Sequence, residues 1–586
     1  MKREEDERTN QQLNEYVSLD NLQSFFLMAG AGSGKTRSLV SMLEHLKREW
    51  RKNLKDTGRK IAVITFTKAA SEEIQARISY DSTFHISTIH SFSWEMIRHF
   101  QKDIKEYLIQ YCEEKLRELS TKKETDKQKR EIEKYTKKLM KSKEATKFNY
   151  SPDTNITQWG YLSHSEVIKI MTDLLKNNSS FAKILIQKYP VLLIDECQDT
   201  NKNLLTYLIE IEANHDNFCL GLIGDMMQRV YTGGLEDLQK RVAHWGNSPK
   251  KEMNWRCQKR IVDFINELRK ETDELQQYQN KEKNAGILRT YIIKEKDNDQ
   301  ERKDLENKIR EHFSKEIDEN AAITTLILEH KMAARRNGFS NIYLALDNSD
   351  TKDAVKDGTG KEMKCVKELV IPFIQAMKAP GEFELLRLFR KEKVFETMIS
   401  IQKIGELKQK IDNIRPKINE QTTLREAVNY IKELNVTELP DAFLFPDEEN
   451  SKTMNWQEAM NETLDEFKSY FDYKDEQSPY FTQQGSKGLE YDYVMVIMND
   501  NESRGRMFSY GKLSGTTPPT ATDLRNMNEG KDNSIERTKR LLYVAASRAK
   551  ESLGLVIYSS NVDRTKEYFM KNGLVKDCEI ITERDL

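Results

Sequence analysis

The sequence predicts an α/β protein built on doubly wound parallel sheets, with two cores and mainly helical insertions in both. Three observations predict it. Short apolar runs alternate with longer, charged, helix-forming stretches, the pattern of strands and helices layered around a parallel sheet. One run, Phe25-Phe26-Leu27-Met28, leads into the glycine-rich turn Ala29-Gly30-Ala31-Gly32-Ser33-Gly34-Lys35-Thr36 and then a helical pattern from Arg37 to Lys47. The alternation begins again after Gln228, and two Lys/Glu-rich blocks interrupt it.

With 586 residues the chain holds several domains, at roughly 100–200 residues each. Charged residues make up 32% of it, and no segment approaches the ~20 uninterrupted apolar residues of a membrane span. A soluble protein without a membrane partner is expected. The N-terminus Met1-Lys2-Arg3-Glu4-Glu5-Asp6 has no apolar stretch behind it, so no secretory signal is expected. The six cysteines are scattered with no C-x-x-C pair, which argues against disulfides and a zinc site and fits the cytoplasm. Net charge is -1. Any nucleic-acid site must therefore be a local cluster of Lys and Arg.

Strand, glycine turn and helix opening on Lys-Thr make a phosphate-binding loop. Backbone N–H groups from Ala29 through Gly34 and the helix N-terminus face the anion, Lys35 reaches the β/γ-phosphates, and Thr36 ligates Mg²⁺. The generic pattern wants Gly where Ala29 stands. Residues 1–24 are polar and helical, with Gln11 and Gln12 a short helix ahead of the loop. Residues 61–65 read as a buried strand carrying Thr65-Phe66-Thr67 at its carboxyl end, where ligands of open α/β sheets sit. That pair offers a hydroxyl to a phosphate and a ring to a base; the alternative is a core Phe66 and capping threonines. Ser87-Thr88-Ile89-His90-Ser91-Phe92 follows, leading into an amphipathic helix at 94–100. From 106 to 147 the chain is a Lys/Glu/Arg/Leu run, read as solvated helices of an inserted subdomain.

The run 191–194 ends in Asp195-Glu196. A buried strand delivering two carboxylates to its tip suits a P-loop hydrolase, Asp195 holding Mg²⁺ and Glu196 orienting or deprotonating water. A strand at 219–223 ends at Gly224-Asp225, placing Gln228 near a γ-phosphate. Beyond it, Asn254-Trp255-Arg256 opens a helix, and 287–293, 323–328 and 342–346 read as strands. Residues 350–475 form a helical block punctuated by Pro372, Pro380, Pro416, Pro440 and Pro446. The sheet resumes at 493–498, a polar loop covers 499–533, a helix at 536–550 carries Arg537, Arg540 and Arg548, and 553–558 closes the fold.

Taken in order, AGAGSGKTR at Ala29, ITFT-KAA at Ile64, STIHSF at Ser87, LLIDECQD at Leu192, LIGDMMQ at Leu222, NWR at Asn254, GSKGLEYD at Gly485 and LLYVAASRA at Leu541 resemble the motif series of superfamily 1 helicases of the UvrD/Rep/PcrA type. Eight motifs in the right order span nearly the whole chain, and Ala29 is normal for that family. The resemblance implies two RecA-like P-loop NTPase cores: 1–100 with 186–250 (1A), and 251–349 with 478–586 (2A). Helical insertions at 101–185 (1B) and 350–477 (2B) complete it. It also implies ATP and Mg²⁺ as cofactors and a DNA helicase or translocase of 3′ to 5′ polarity. Lys35, Glu196, Gln228, Arg256 and Arg548 would be catalytic, both arginines coming from the second core so that hydrolysis closes a cleft. Thr36 and Asp195 would hold the metal. Gln12 and Arg37 would contact adenine, Trp255 would stack on it, and Glu490 would reach the ribose. Thr65, Phe66, Thr88, His90 and Thr482 would line the single-strand track.

Three departures fall on the DNA side. The usual Asn between Thr67 and Lys68 is missing, Thr232-Gly233-Gly234 stands where a base-stacking aromatic belongs, and Gln484 replaces a histidine. The chain's modest size, its ending soon after the last expected strand, and these changes are similar to the helicase-like subunit of Gabija-type antiphage systems, which works beside an OLD-family nuclease. Antiphage defence or DNA repair would then be the setting. A DNA-end-sensing regulatory ATPase with little unwinding is the alternative, and a P-loop phosphotransferase indifferent to DNA is a third.

Overall fold

The computed structural model describes residues 2–121, 125–151, 160–273, 275–280, 285–347, 358, 360–379, 381–392, 401–435, 437–444, 451–503 and 507–586. The chain divides into two compact units, Met1–Gly286 with Pro519–Glu551 and Asn572–Leu574, and Ile287–Pro518 with Ser552–Lys571 and Val575–Leu586. Residues 251–286 and 519–551, which motif order assigns to the second core, thus belong to the unit that holds the first sheet.

The first unit holds a parallel sheet of β1 (Phe25–Ala29), β2 (Ile61–Thr65), β3 (Phe84–Thr88), β4 (Val191–Ile194), β5 (Cys219–Gly224) and β6 (Lys250–Lys251), in the order β3-β2-β4-β5-β1-β6. The strands are unbroken apolar runs because both faces are covered. Side chains alternate between two cores with a period of two. Phe25, Leu27, Ile61, Val63, Val191, Leu193 and Ile223 face one core, and Phe26, Ala62, Ile64, Leu192, Ile194, Leu220 and Leu222 the other. Helix Lys35–Thr57 closes the first of these, burying Leu39, Met42, Leu43, Leu46, Trp50 and Leu54 at helical spacing, and stops at Gly58 (φ 69). Helices Gln101–Ser120, Asp126–Glu144, His164–Asn177 and Ser179–Lys188 build the first insertion, and its Ile104, Leu108 and Phe148 join the opposite core. A two-strand ladder pairs β7 (Met253–Asn254) with β8 (Tyr278–Gln279).

The second unit repeats the topology. Its strands β9 (Ile287–Lys294), β10 (Ile323–Ile327), β11 (Tyr480–Thr482), β12 (Tyr491–Met498), β13 (Ala549–Ser559) and β14 (Ile580–Thr582) are ordered β11-β10-β12-β13-β9-β14. Replacing β9 through β14 by β1 through β6 in turn reproduces the first sheet. A helical insertion has its own core, centred on buried Trp456, Phe373, Val428, Phe467 and Tyr470.

Five expectations are corrected. Residues 342–346 lie in helix Ser340–Leu346, not a strand: Ile342 and Leu346 are buried one turn apart while Leu344 is 59% exposed. Asn254-Trp255-Arg256 forms a strand end and turn rather than opening a helix, because Asn254 Oδ1 accepts the N–H groups of Arg256 and Cys257, and the helix begins at Lys259. The expected loop at 499–533 contains helices Tyr510–Leu513 and Ala521–Asn528, capped through Asp500, Thr520 and Asp523. The helix expected at 94–100 runs Ile89–Ile97, started by a Thr88 cap. A further edge strand, β14, follows the one expected to close the fold. Pro380 and Pro446 lie outside the described residues.

Candidate active site

The glycine turn sits at the carboxyl end of β1, between it and helix Lys35–Thr57. Gly32 (φ 70) and Gly34 (φ 80) adopt left-handed conformations that disfavour a side chain, and a Cβ on Gly32 would also come within 2.7 Å of Arg256 Cβ. Ser33 is 1% exposed, and its hydroxyl is buried without a hydrogen-bond partner. An unpartnered buried hydroxyl in a glycine turn at a helix N-terminus suits a phosphate oxygen. Lys35 Nζ lies 3.3 Å from Ala29 O and 3.8 Å from Glu196 Oε1.

The carboxylates come from β4, one strand removed from β1 with β5 between them. The Asp195 N–H donates to Ile64 O at 2.9 Å, and Asp195 Oδ1 accepts the Glu196 N–H at 3.0 Å. Glu196 has φ 52, a left-handed conformation that costs a non-glycine residue of order 1–3 kcal/mol. Gln198, wholly buried, donates from Nε2 to Glu196 Oε2, while its Oε1 accepts the Asp225 N–H at 3.2 Å. Glu196 is thus aimed by a side chain itself anchored to the end of β5. Gln228 follows on a short turn, 3% exposed, with its Nε2 3.1 Å from Asp225 Oδ2.

Two arginines reach this end of the sheet. Arg256 follows β7, its Nη1 donating to Ser547 O at 3.2 Å. Arg548 is 2% exposed, held by Val544 O (3.0 Å) and Ser547 Oγ (2.9 Å) just beyond helix Ser534–Ala546. Burial first, then the Arg256 guanidinium, push Arg548 down to about 10, while the Glu196 carboxylate acts the other way. It remains a cation at neutral pH. Three cations, Lys35, Arg256 and Arg548, and one carboxylate, Glu196, therefore influence one another around the loop.

Trp255 flanks the same loop. Its N–H donates to Gly32 O at 2.9 Å, its indole Nε1 faces Asp6 Oδ2 at 3.4 Å, and a Cβ on Gly34 would lie 3.9 Å from both its Cδ1 and Arg37 Cβ. Arg37 is exposed, as is Gln12 on helix Lys2–Tyr16. Asn10 on that helix binds Ser38, which also receives a bond from Lys251.

The track residues divide. Thr65 is 1% exposed and its hydroxyl donates to Thr67 O at 3.0 Å, Thr67 caps helix Lys68–Arg77, and Thr88 caps helix Ile89–Ile97, so the threonines are occupied locally. Phe66 is not core: it is 38% exposed and stacks on Tyr231, itself 36% exposed, with ring centroids 5.4 Å apart. His90 packs against His164 at 4.9 Å, and burial, then His164, push it down to about 4, so it is neutral at physiological pH. Thr482 and Glu490 belong to the second unit. There Thr482 is buried with its hydroxyl accepting the Gly485 N–H at 3.0 Å, and Glu490 is exposed. Gly234 has a steric reason, since a Cβ there would fall 1.9 Å from Gln198 O, whereas Gly233 faces open space.

Sequence reasoning missed Gln198, Tyr231 as a ring partner, and the Asn254 and Gln277 side chains, both of which donate to Ala31 O (3.1 and 2.8 Å). Gln198 and Asn254 sit inside recognised motifs and carried a signal; Gln277 carried none.

Among the described residues no group of three His, Cys, Asp or Glu side chains could hold a metal. Mg²⁺ at such sites takes one or two protein oxygens, with phosphates and waters completing its shell, and Thr36 and Asp195 supply a donor set of that kind.

Two family models match parts of the chain. Residues 15–234 match the family model described as AAA domain, and residues 349–560 that described as UvrD-like helicase C-terminal domain. The chain is 23% identical to a "Gabija protein GajB" of Bacillus cereus strain HuB5-5, over 96% of each chain. It is 27% identical to an "ATP-dependent DNA helicase Rep" of Buchnera aphidicola, over 41% of each. With an "ATP-dependent DNA helicase PcrA" of Staphylococcus epidermidis it shares 28% identity, over 42% of this chain and 38% of that one. It thus spans less than half the length of the latter two. No helix among the described residues is long and apolar enough to cross a membrane.

Proposed function

The chain belongs to the UvrD-like helicases of superfamily 1, and from that premise we propose an ATP-driven motor that tracks along single-stranded DNA in the 3′ to 5′ direction. The observation that carries this is the convergence of Glu196 with Lys35, Arg256 and Arg548 at the glycine turn. ATP at the loop would be the substrate, its γ-phosphoryl group passing to water as the bond to ADP breaks, and Mg²⁺ would help to neutralise the charge on the phosphate oxygens. Thr36 and Asp195 would hold the metal. Glu196, aimed by Gln198, orients the attacking water and takes its proton. Lys35, Arg256 and Arg548 answer the developing negative charge, and Gln228 reports its presence. Trp255, with Arg37, Gln12 and Glu490, would form the adenosine side. Two RecA-like cores that close on ATP and open after hydrolysis would turn this chemistry into steps along DNA.

The Phe66–Tyr231 pair supports the DNA side of this reading. Stacked, partly exposed rings, Phe66 just past β2 and Tyr231 beyond the turn that follows β5, offer a base a sequence-tolerant platform, worth about 1–3 kcal/mol per base. Phe66→Ala is expected to weaken single-strand binding about 5- to 150-fold, measured by fluorescence anisotropy, with ATP turnover in the absence of DNA unchanged. Affinity equal to wild type would remove Phe66 from the track.

A second reading rests on the whole-length similarity to the Gabija protein. The chain would then serve antiphage defence in the cytoplasm beside an OLD-family nuclease, its ATPase sensing DNA ends with little unwinding. One paired assay separates the two. A motor both hydrolyses ATP on single strands and displaces the strand of a 3′-tailed duplex; turnover with no displacement leaves the regulatory reading standing.

A further inference from the structure

Deep in the first unit, a set of buried polar side chains takes no direct part in the chemistry outlined above. At its centre is Tyr543, fully buried on helix Ser534–Ala546. Its hydroxyl donates to Asp225 Oδ2 at 2.9 Å and accepts from the Ala31 N–H at 3.2 Å and from Arg269 Nη1 at 3.0 Å. One proton and two lone pairs are all that a phenol has. The hydroxyl is therefore saturated, its proton on the nearer acceptor, Asp225 Oδ2, with Gln277 Oε1 at 3.4 Å beside it.

Each partner leads to a part of the candidate site. Ala31 lies within the phosphate loop, and its carbonyl is gripped from the other side by Asn254 and Gln277. Asp225 Oδ2, which accepts the Tyr543 hydrogen bond, also accepts from Gln228 Nε2 at 3.1 Å, and Oδ1 accepts the Met227 N–H at 3.1 Å. Arg269, 1% exposed, ties Asp225 Oδ1 (3.3 Å) to Asp273, which it holds through both Nε (2.9 Å) and Nη2 (2.7 Å). Arg548 lies just beyond the C-terminal end of the Tyr543 helix and bonds back to Val544 O. The loop, Gln228 and the arginine-bearing helix thus meet at one hydroxyl, in surroundings where hydrogen bonds are stiff and an unmatched one is costly.

We infer that Tyr543 and Arg269 are positioning residues for hydrolysis, holding Gln228 and the Arg548 helix in register with the phosphate loop so that loading of the loop is felt at both. This rests on the ATPase reading above. The two fail separately: a wild-type protein without ATP turnover sinks that reading, and a turning-over wild type with insensitive variants sinks this one.

The test compares Tyr543→Phe, Arg269→Met and Arg269→Lys with wild type in steady-state ATP turnover on single-stranded DNA, in binding of a fluorescent ATP analogue, and in thermal unfolding. A displacement of about 1 Å in a catalytic group can cost on the order of 10²-fold in rate. Tyr543→Phe keeps the ring and loses only the hydroxyl. It is expected to lower kcat by about 10- to 100-fold with KM and analogue affinity within about twofold. Arg269→Met should do the same, and Arg269→Lys should recover part of the loss. If Tyr543 acts through Gln228, the double variant Tyr543→Phe/Gln228→Leu loses little more than Gln228→Leu alone. Unchanged kcat, losses that multiply in the double variant, or a fall in kcat matched by loss of analogue binding and melting temperature would each overturn the inference.

Discussion

Replacing Arg548 with alanine is expected to lower ATP turnover by about 10³- to 10⁵-fold while nucleotide affinity stays near wild type. The magnitude is that of an arginine acting on transition-state charge, and the geometry gives reasons to expect it here. The guanidinium is 2% exposed and anchored at two points, Val544 O and Ser547 Oγ, so it would meet a phosphoryl group with little reorganisation. Burial and the neighbouring Arg256 disfavour its charged form, pushing it down to about 10. Bringing growing negative charge beside it relieves that cost during reaction, and relief confined to the transition state raises kcat rather than affinity. Steady-state turnover beside equilibrium binding of an ATP analogue checks this. Turnover within tenfold of wild type would reassign Arg548 to a structural role, and a parallel loss of binding would make it a ground-state contact.

Glu196→Gln is expected to reduce turnover by about 10²- to 10⁴-fold, the usual worth of a general base, and to trap ATP on the protein. The substitution preserves shape and removes the charge. Glu196 holds a left-handed conformation and takes a bond from Gln198 Nε2 while facing Lys35 Nζ at 3.8 Å, so backbone and neighbours both direct the carboxylate. With the carboxylate gone, the attacking water keeps a hydrogen-bond partner but loses its proton acceptor. Rapid-quench measurement of a single turnover, which isolates chemistry from product release, is the deciding experiment. A chemical step as fast as wild type would move the base elsewhere.

Much of the fold was legible because parallel strands buried on both faces are written as unbroken apolar runs. The strands at 25, 61, 191, 219, 287 and 323 were found for that reason. Residues 342–346 have the same composition yet fold as a helix. In so short a run the side-chain period that separates the two is visible only once Leu344 is seen facing solvent and Ile342 the core. Asn254 shows the opposite limit: its side chain captures two backbone N–H groups and prevents the helix that the local pattern suggests.

The candidate site divides in the same way. Lys35, Thr36, Asp195 and Glu196 each follow from a short stretch, because a strand end, a glycine turn and a helix start are local structures and their chemistry comes with them. That local information by itself pointed to nucleotide chemistry, to the two-core α/β class and to the likeness to UvrD-like helicases. Tertiary structure alone decided what holds those groups in place. It brought Tyr543 onto Ala31 across 512 positions of sequence, set Phe66 face to face with Tyr231, and turned the Thr65 hydroxyl onto its own turn. The physical reason is that a hydrogen bond or a ring stack depends on distance and direction between atoms, and residues remote in the chain acquire these only when the sheet and the helices around it have packed.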